Sequence, residues 1–276
     1  MKAEEIKNAV KSSYAKVALS NLPCCGTGKS CCGSPNLAEE LSRKVGYGDE
    51  ELEAVPEGAN LGLGCGNPVA LASIEEGETV LDLGSGAGFD CFIAASKVGN
   101  TGKVIGVDMT PEMVEKARRN AREGNFDNVE FRLGEIENLP VSENEVEVVI
   151  SNCVINLSPD KEKVFREAFR VLKPGGRLMV SDIVLLKELP AAIRKSVGAY
   201  VGCIAGAVMK DEYLAAVEAA GFQEIRVLGQ DTYPLELMAA DPIAQPICAD
   251  LNLSREEAKE LSSTIASIKV SAVKGA

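Results

Sequence analysis

Between Thr79 and Ile183 short apolar runs alternate with amphipathic stretches, and one turn in that alternation constrains the fold more than any other feature. The run Val80-Leu81-Asp82-Leu83-Gly84-Ser85-Gly86-Ala87-Gly88-Phe89-Asp90 places three glycines where a buried strand passes into a helix. Free of Cβ atoms, the backbone can turn sharply there, approach a ligand closely and offer unpaired amides at a helix N-terminus. Strands are expected near Thr79 to Leu83, Lys103 to Val107, Val129 to Leu133, Val146 to Ser151 and Arg177 to Ile183. The intervening helices run from the glycine turn to Val98, from Pro111 at a first helical position behind the cap Thr110, and from Asp160 to Leu172, stopped by Lys173-Pro174-Gly175-Gly176. Such alternation of strand and helix predicts an α/β fold with a doubly wound, mostly parallel sheet.

Residues 3 to 19 carry Ile6, Val10, Tyr14 and Val17 at helical spacing and run into the helix stop Asn21-Leu22-Pro23. A loop with four cysteines and three glycines, Cys24 to Gly33, leads to a short helix expected to be capped by Asn36. Residues 188 to 220 read as helical, with Gly198, Gly202 and Gly206 on one face suited to close packing over a site. Gln223 to Leu228 and Ile268 to Ala272 alternate as edge strands. Three parts result: a helical segment with the cysteine loop at 1–74, a binding core at 75–184, and helices with edge strands at 185–276.

Charge narrows the partners. With 41 acidic against 29 basic side chains the formal charge is −12, and no basic patch offsets it, so a nucleic-acid backbone would be repelled. The longest nearly apolar run, Val197 to Met209, is too short to span a bilayer, and the first thirty residues lack a secretory signal, so a cytoplasmic protein without a membrane partner is expected. Nine cysteines in such a compartment are explained as packing, ligands or redox groups, not as a disulfide framework. Histidine is absent, which removes the commonest general base and metal ligand. Any site must work with sulfur and oxygen.

Twenty residues beyond Gly88, Asp108 ends the second strand, where an acid can bind both hydroxyls of a ribose. The glycines fit G-x-G-x-G, not the dinucleotide pattern, and Asp82 ahead of them would be awkward beside a pyrophosphate but can face a cationic amino group. The segment resembles motif I of the class I S-adenosylmethionine methyltransferases. That resemblance implies a cofactor site made by Asp82, Gly84, Gly86, Gly88 and Asp108, with Met109, Glu135 and Ile136 near the adenine and Asn152 beside it.

Three further cysteines sit in distinctive settings: Cys65 in Leu63-Gly64-Cys65-Gly66-Asn67-Pro68, Cys153 in Ser151-Asn152-Cys153-Val154-Ile155-Asn156-Leu157, and Cys203 in Val201-Gly202-Cys203-Ile204-Ala205-Gly206. Cys153 lies just beyond the fourth strand, at the end of the sheet where doubly wound folds bind ligands. With the glycine turn, these segments closely resemble the arsenite methyltransferases from about Gly46 to Gly229. The resemblance implies that 75–184 binds S-adenosylmethionine, that 185–276 contributes to an arsenic site, and that Cys65, Cys153 and Cys203 are the arsenic-binding thiols. A further N-terminal cysteine would join a redox cycle by pairing with the first of them; Cys32 is favoured, with Cys24, Cys25 and Cys31 left open by spacing. Arsenite or its thiol conjugates would be the acceptor, a glutathione or thioredoxin system the reductant, and the enzyme a monomer.

The chemistry is compatible. Trivalent arsenic is soft and exchanges oxygen for thiolate ligands. Bound by three sulfurs it keeps a lone pair that can attack a sulfonium methyl, so the protein need only align donor and acceptor, and no base is required. Two rivals stand beside this reading: a small-molecule methyltransferase of the quinone or sterol kind, and a non-catalytic module that holds a soft metal through thiols. Cys-Cys-x5-Cys-Cys lacks the usual zinc spacing, Cys91 reads as a small core residue, and Cys248 has no assignment.

Overall fold

Successive residues of a strand point to opposite faces, so a strand apolar at every position needs a core on each side. The computed structural model, which describes residues 3–19, 37–194, 196–232 and 263–276, meets that demand. Val80, Val104, Val148 and Ile150 pack on one face with Cys91, Phe92 and Val114. Their neighbours Leu81, Ile105 and Val149 pack on the other with Val164, Phe165 and Tyr213.

The strands are β1 (Thr79–Leu83), β2 (Lys103–Asp108), β3 (Val129–Leu133), β4 (Val146–Asn152), β5 (Leu172–Leu185), β6 (Phe222–Thr232) and β7 (Ile265–Lys274). They form one seven-stranded sheet in the order β3-β2-β1-β4-β5-β7-β6. The first five are parallel, and β7 runs antiparallel to both β5 and β6. This is the expected doubly wound, mostly parallel sheet; of the two C-terminal strands β6 forms the edge, while β7 lies inside it, paired with both β5 and β6. The order reverses between β1 and β4, so their carboxyl ends open the crevice in which such folds bind ligands.

The helices are α1 (Ala3–Leu19), α2 (Leu37–Lys44), α3 (Asp49–Glu53), α4 (Pro68–Leu71), α5 (Phe89–Val98), α6 (Pro111–Glu123), α7 (Lys161–Val171), α8 (Ala191–Arg194), α9 (Val197–Val201) and α10 (Lys210–Ala219). Asp160 caps α7 by accepting from the Lys163 amide at 3.0 Å. Thr110 occupies the cap position of α6 but makes no side-chain cap bond. The Lys173-Pro174-Gly175-Gly176 stop is drawn into the start of β5, where Leu172 pairs with Val146 and the register then shifts.

The stretch expected to be helical over 188 to 220 holds three separate helices, α8, α9 and α10, among the described residues. Cys203 adopts a left-handed backbone (φ 62°) directly after Gly202 ends α9. Gly206 presses so closely on Asn156 that a Cβ there would lie 2.1 Å from the Asn156 carbonyl. Only Gly198 of the three spaced glycines lies within a helix. Asn36, the N-terminal cysteine loop and Cys248 lie outside the described residues. Among the described residues no helix is long and apolar enough to cross a membrane.

Candidate active site

The three glycines of the turn divide the work. Gly84 (φ 68°) and Gly86 (φ 53°) line an open cleft of about 1130 Å³ at the β1 and β4 ends. Gly88 (φ 96°) caps α5 instead, and a Cβ there would meet both Phe92 and Phe131 at 2.7 Å, so it is a packing position outside the cleft lining. The Asp108 carboxylate accepts from the amides of Gly86 at 2.9 Å and Thr110 at 2.8 Å, which fixes it at the mouth of the turn. Burial raises its pKa. Met109 and Ile136 line the same cleft. Glu135 does not: its carboxylate lies 2.8 Å from Lys7 and 3.3 Å from Lys11, tying α1 to the segment after β3.

Deeper in, two carboxylates are buried with no cation on them among the described residues. Asp90 accepts from the Tyr47 hydroxyl at 2.6 Å and the Asn152 amide at 3.0 Å, while Asp82 accepts from the Cys91 thiol at 3.2 Å. Burial drives Asp82 well above the carboxylate range and Asp90 up to about 6. Among the described residues Lys7 is the sole cation lining the cleft, against Asp82, Asp90, Asp108 and Glu137, and its ammonium is already held by Glu135 and Glu137 at 2.8 and 3.0 Å. Uncompensated buried carboxylates are costly, so this cleft suits a ligand that brings positive charge with it. The methyl donor implied by the sequence carries an ammonium and a sulfonium, and the residues fit it.

Beside the cleft the three singled-out cysteines share one buried cluster with Leu157, Ile183 and Ala199. Each arrives from a different segment, and two hold left-handed backbones, Cys153 at φ 58° and Cys203 at φ 62°, where a non-glycine residue is uncommon. The Cys203 thiol donates to the Cys153 carbonyl at 2.9 Å, and the Cys65 thiol donates to the Ser181 carbonyl at 3.5 Å. Hydrogen bonding to the thiols of Cys203 and Cys65, together with burial, holds the Cys153 thiol well above its usual range. Burial pushes Cys65 up as well. The trio is thus made of neighbouring thiols, two of which, Cys65 and Cys203, donate to backbone carbonyls. It is not a preformed ligand cage, in keeping with the absence of any metal-holding group of Cys, Asp or Glu among the described residues.

Cys153 also lines the cleft, which makes it the hinge between the two regions. Small residues bring them together. A Cβ on Gly64 would lie 2.6 Å from the Asn152 amide, one on Gly66 would lie 2.6 Å from the Ser181 hydroxyl, and one on Gly84 would lie 2.2 Å from Val154. The glycines flanking Cys65 are therefore required by close approach. Asn152 itself accepts from the Cys65 amide at 3.0 Å and donates to Tyr47, Gly66 and Asp90, spanning from thiol loop to carboxylate.

Tyr47, Asn60 and the α1 residues Lys7, Val10 and Tyr14 also line the cleft, and no motif marks them. Tyr47 stands between Gly46 and Gly48, a setting that hints at a side chain held in place, but only the fold shows its partner. Cys91 is fully buried in the core. Cys24, Cys25, Cys31 and Cys32 lie outside the described residues.

A methyltransferase domain family matches residues 74–221. The chain is 48% identical over 83% of its length to the arsenite methyltransferase of Halobacterium salinarum and 36% identical over 80% to that of Aquipseudomonas alcaligenes. It spans 60% and 63% of the lengths of those two relatives. Among solved structures it is similar to CrArsM, an arsenic(III) S-adenosylmethionine methyltransferase from Chlamydomonas reinhardtii, with a TM-score of 0.62 and 32% identity, covering 88% of this chain and 74% of that one.

Proposed function

Because the chain belongs to the arsenic(III) S-adenosylmethionine methyltransferase family, we propose that it methylates trivalent arsenic held by Cys65, Cys153 and Cys203, giving methylated arsenicals for detoxification. The observation that carries this reading is the position of Cys153, which interacts with both other thiols and also lines the cation-poor cleft.

S-adenosylmethionine supplies an electrophilic methyl group on its sulfonium. Asp108 would take the ribose hydroxyls, Gly84 and Gly86 would let the backbone approach, and Asp82 would face the ammonium, with Met109 and Ile136 against the adenine. Asp90, oriented by Tyr47 and Asn152, lines the same cleft and would add negative charge there for the cationic donor. The three thiols receive arsenous acid by condensation: three S–H and three As–O bonds break, three As–S bonds form and three waters leave. No net proton is lost, so raised thiol pKa values do not oppose capture. The arsenic lone pair then forms the As–C bond as the methyl–sulfonium bond breaks, and arsenic passes from the trivalent to the pentavalent state. Returning it takes two electrons, which a pair of thiolates can give by forming a disulfide. Cys32 is our candidate partner of Cys65 in that step, with glutathione or thioredoxin resetting the pair.

The test is transfer of labelled methyl from S-adenosylmethionine to arsenite with glutathione and thioredoxin, on the parent and on Cys65→Ser, Cys153→Ser and Cys203→Ser. Methylated arsenic from the parent alone is expected. Cofactor binding without arsenic turnover in the parent would reject the reading in favour of a small-molecule methyltransferase.

A further inference from the structure

A second set of polar groups lies beneath the thiols and outside the cleft lining. Asp182 is 1% exposed and is the only charged residue in the stretch Leu178 to Leu185 of β5. Its Oδ1 accepts from the Asn156 side-chain amide at 2.9 Å and the Ile183 amide at 2.9 Å, and its Oδ2 accepts from the Tyr213 hydroxyl at 3.1 Å. The Asn156 amide also donates to the Ile183 carbonyl at 2.6 Å, while its Oδ1 has no partner among the described residues. That side chain is therefore held only at its amide end, by β5.

Three consecutive β5 residues thus hold the Cys65 and Cys153 segments directly and meet the Cys203 segment through Asn156. The Ser181 carbonyl accepts from the Cys153 amide at 2.8 Å and from the Cys65 thiol. Asp182 and Ile183 hold Asn156, three residues after Cys153. Gly206, three residues after Cys203, packs on the Asn156 carbonyl, and Tyr213 of α10, the next helix, is anchored on Asp182 and edge-on to Phe165 at 5.3 Å. The left-handed backbones of Cys153 and Cys203 are strained conformations that persist only where the surroundings fix them.

We propose that Asp182 is a positioning residue for the thiol trio: through Asn156 and Tyr213 it clamps the segments bearing Cys153 and Cys203 onto the strand against which Cys65 docks. The inference rests on the trio being the arsenic site. Its consequence is selective. A clamp that sets three sulfurs in mutual register matters for a ligand needing all three, and matters less for one that takes only two.

The test compares arsenite, which takes three thiols, with phenylarsine oxide, which takes two, by titration calorimetry on the parent, Asp182→Asn and Asn156→Ala. S-adenosylmethionine affinity and melting temperature are recorded alongside. Asparagine can still accept from Asn156 and Ile183 and can donate to Tyr213, so Asp182→Asn keeps the shape while weakening a charge-assisted bond. Arsenite affinity is expected to fall about tenfold in both variants, the scale of one such hydrogen bond, with the phenylarsenical changed much less and S-adenosylmethionine unchanged. Equal losses for both arsenicals, or unchanged arsenite binding in a folded variant, overturn the clamp. Should Asp182→Asn fail to fold, Tyr213→Phe, which deletes one hydroxyl, must show the same selectivity at smaller amplitude, and no selectivity there overturns it too. A parent that binds no arsenite rejects the functional reading itself, a result distinct from these.

Discussion

The cofactor cleft and the thiol pocket open at the same end of one sheet and share Cys153, yet they are built in opposite ways. The cleft is made of βα turns close in sequence: the glycine turn after β1 and Asp108 at the end of β2 lie some twenty residues apart and hold one another through backbone amides. The thiol cluster draws its sulfurs from three segments spread over residues 65 to 203, with Cys65 and Cys153 bonded to Ser181 of β5 and Cys203 bonded to the Cys153 carbonyl. Local construction yields a motif that can be read along the chain. Dispersed construction yields a site that exists only once the sheet has formed.

The two regions should therefore respond separately to substitution, and the sharpest break comes from a thiol. Cys153→Ser should lower arsenite affinity and methyl transfer by about a hundredfold or more, on the scale of losing a bond to a soft ligand, while S-adenosylmethionine binding measured by equilibrium dialysis stays within a few-fold of the parent. A comparable collapse of both would show that the regions are not separable.

On the other side, Asp108→Ala removes the carboxylate proposed to accept from the ribose hydroxyls. S-adenosylmethionine affinity should fall about thirtyfold, the worth of hydrogen bonds to a charged group, and arsenite binding should remain. Calorimetry with each ligand alone separates the two effects.

Acid should act on the cleft before the pocket. Asp90 titrates at about 6 in the folded protein against an ordinary 3.8, because of burial. Its protonation favours the free folded state; that contribution is full below the ordinary value and is lost as pH rises through about 6. A cationic ligand reverses the preference by requiring the carboxylate. S-adenosylmethionine affinity should thus weaken as pH falls below about 6, approaching tenfold per unit for one linked proton. S-adenosylhomocysteine, which lacks the sulfonium charge, should show a shallower slope. Equal slopes would remove Asp90 from the recognition of positive charge.

The smallest expected effect tests the link between the regions. Asn152→Ala deletes bonds to Tyr47, Asp90, Gly66 and the Cys65 amide, and each ligand should lose about fivefold, roughly 1 kcal/mol. A loss confined to one ligand would assign Asn152 to that region alone.

Strand positions, the glycine turn and the acid after β2 were legible because each is local: periodicity reports which face of an element is buried, and a glycine marks where the backbone must bend or approach closely. Where the helical stretch over 188 to 220 divides was not legible, for the converse reason. Gly206 against the Asn156 carbonyl and the left-handed turn at Cys203 are set by tertiary contacts that outweigh helical propensity. Gly88 matched a ligand motif and proved to be a packing glycine, since only the folded chain brings Phe131 to it. A lone carboxylate in apolar β5 was a signal for Asp182, because an acid is seldom buried without partners.

The chain by itself determined the α/β class, the strand series and which residue types could carry chemistry, since these follow from side-chain periodicity, backbone freedom and the absence of histidine. Tertiary structure alone decided that three distant thiols meet, that two carboxylates are buried with no cation on them among the described residues, and that Asn152 links the Cys65 loop to Asp90. Those facts depend on strand order and on contacts between residues tens of positions apart, which no local pattern encodes.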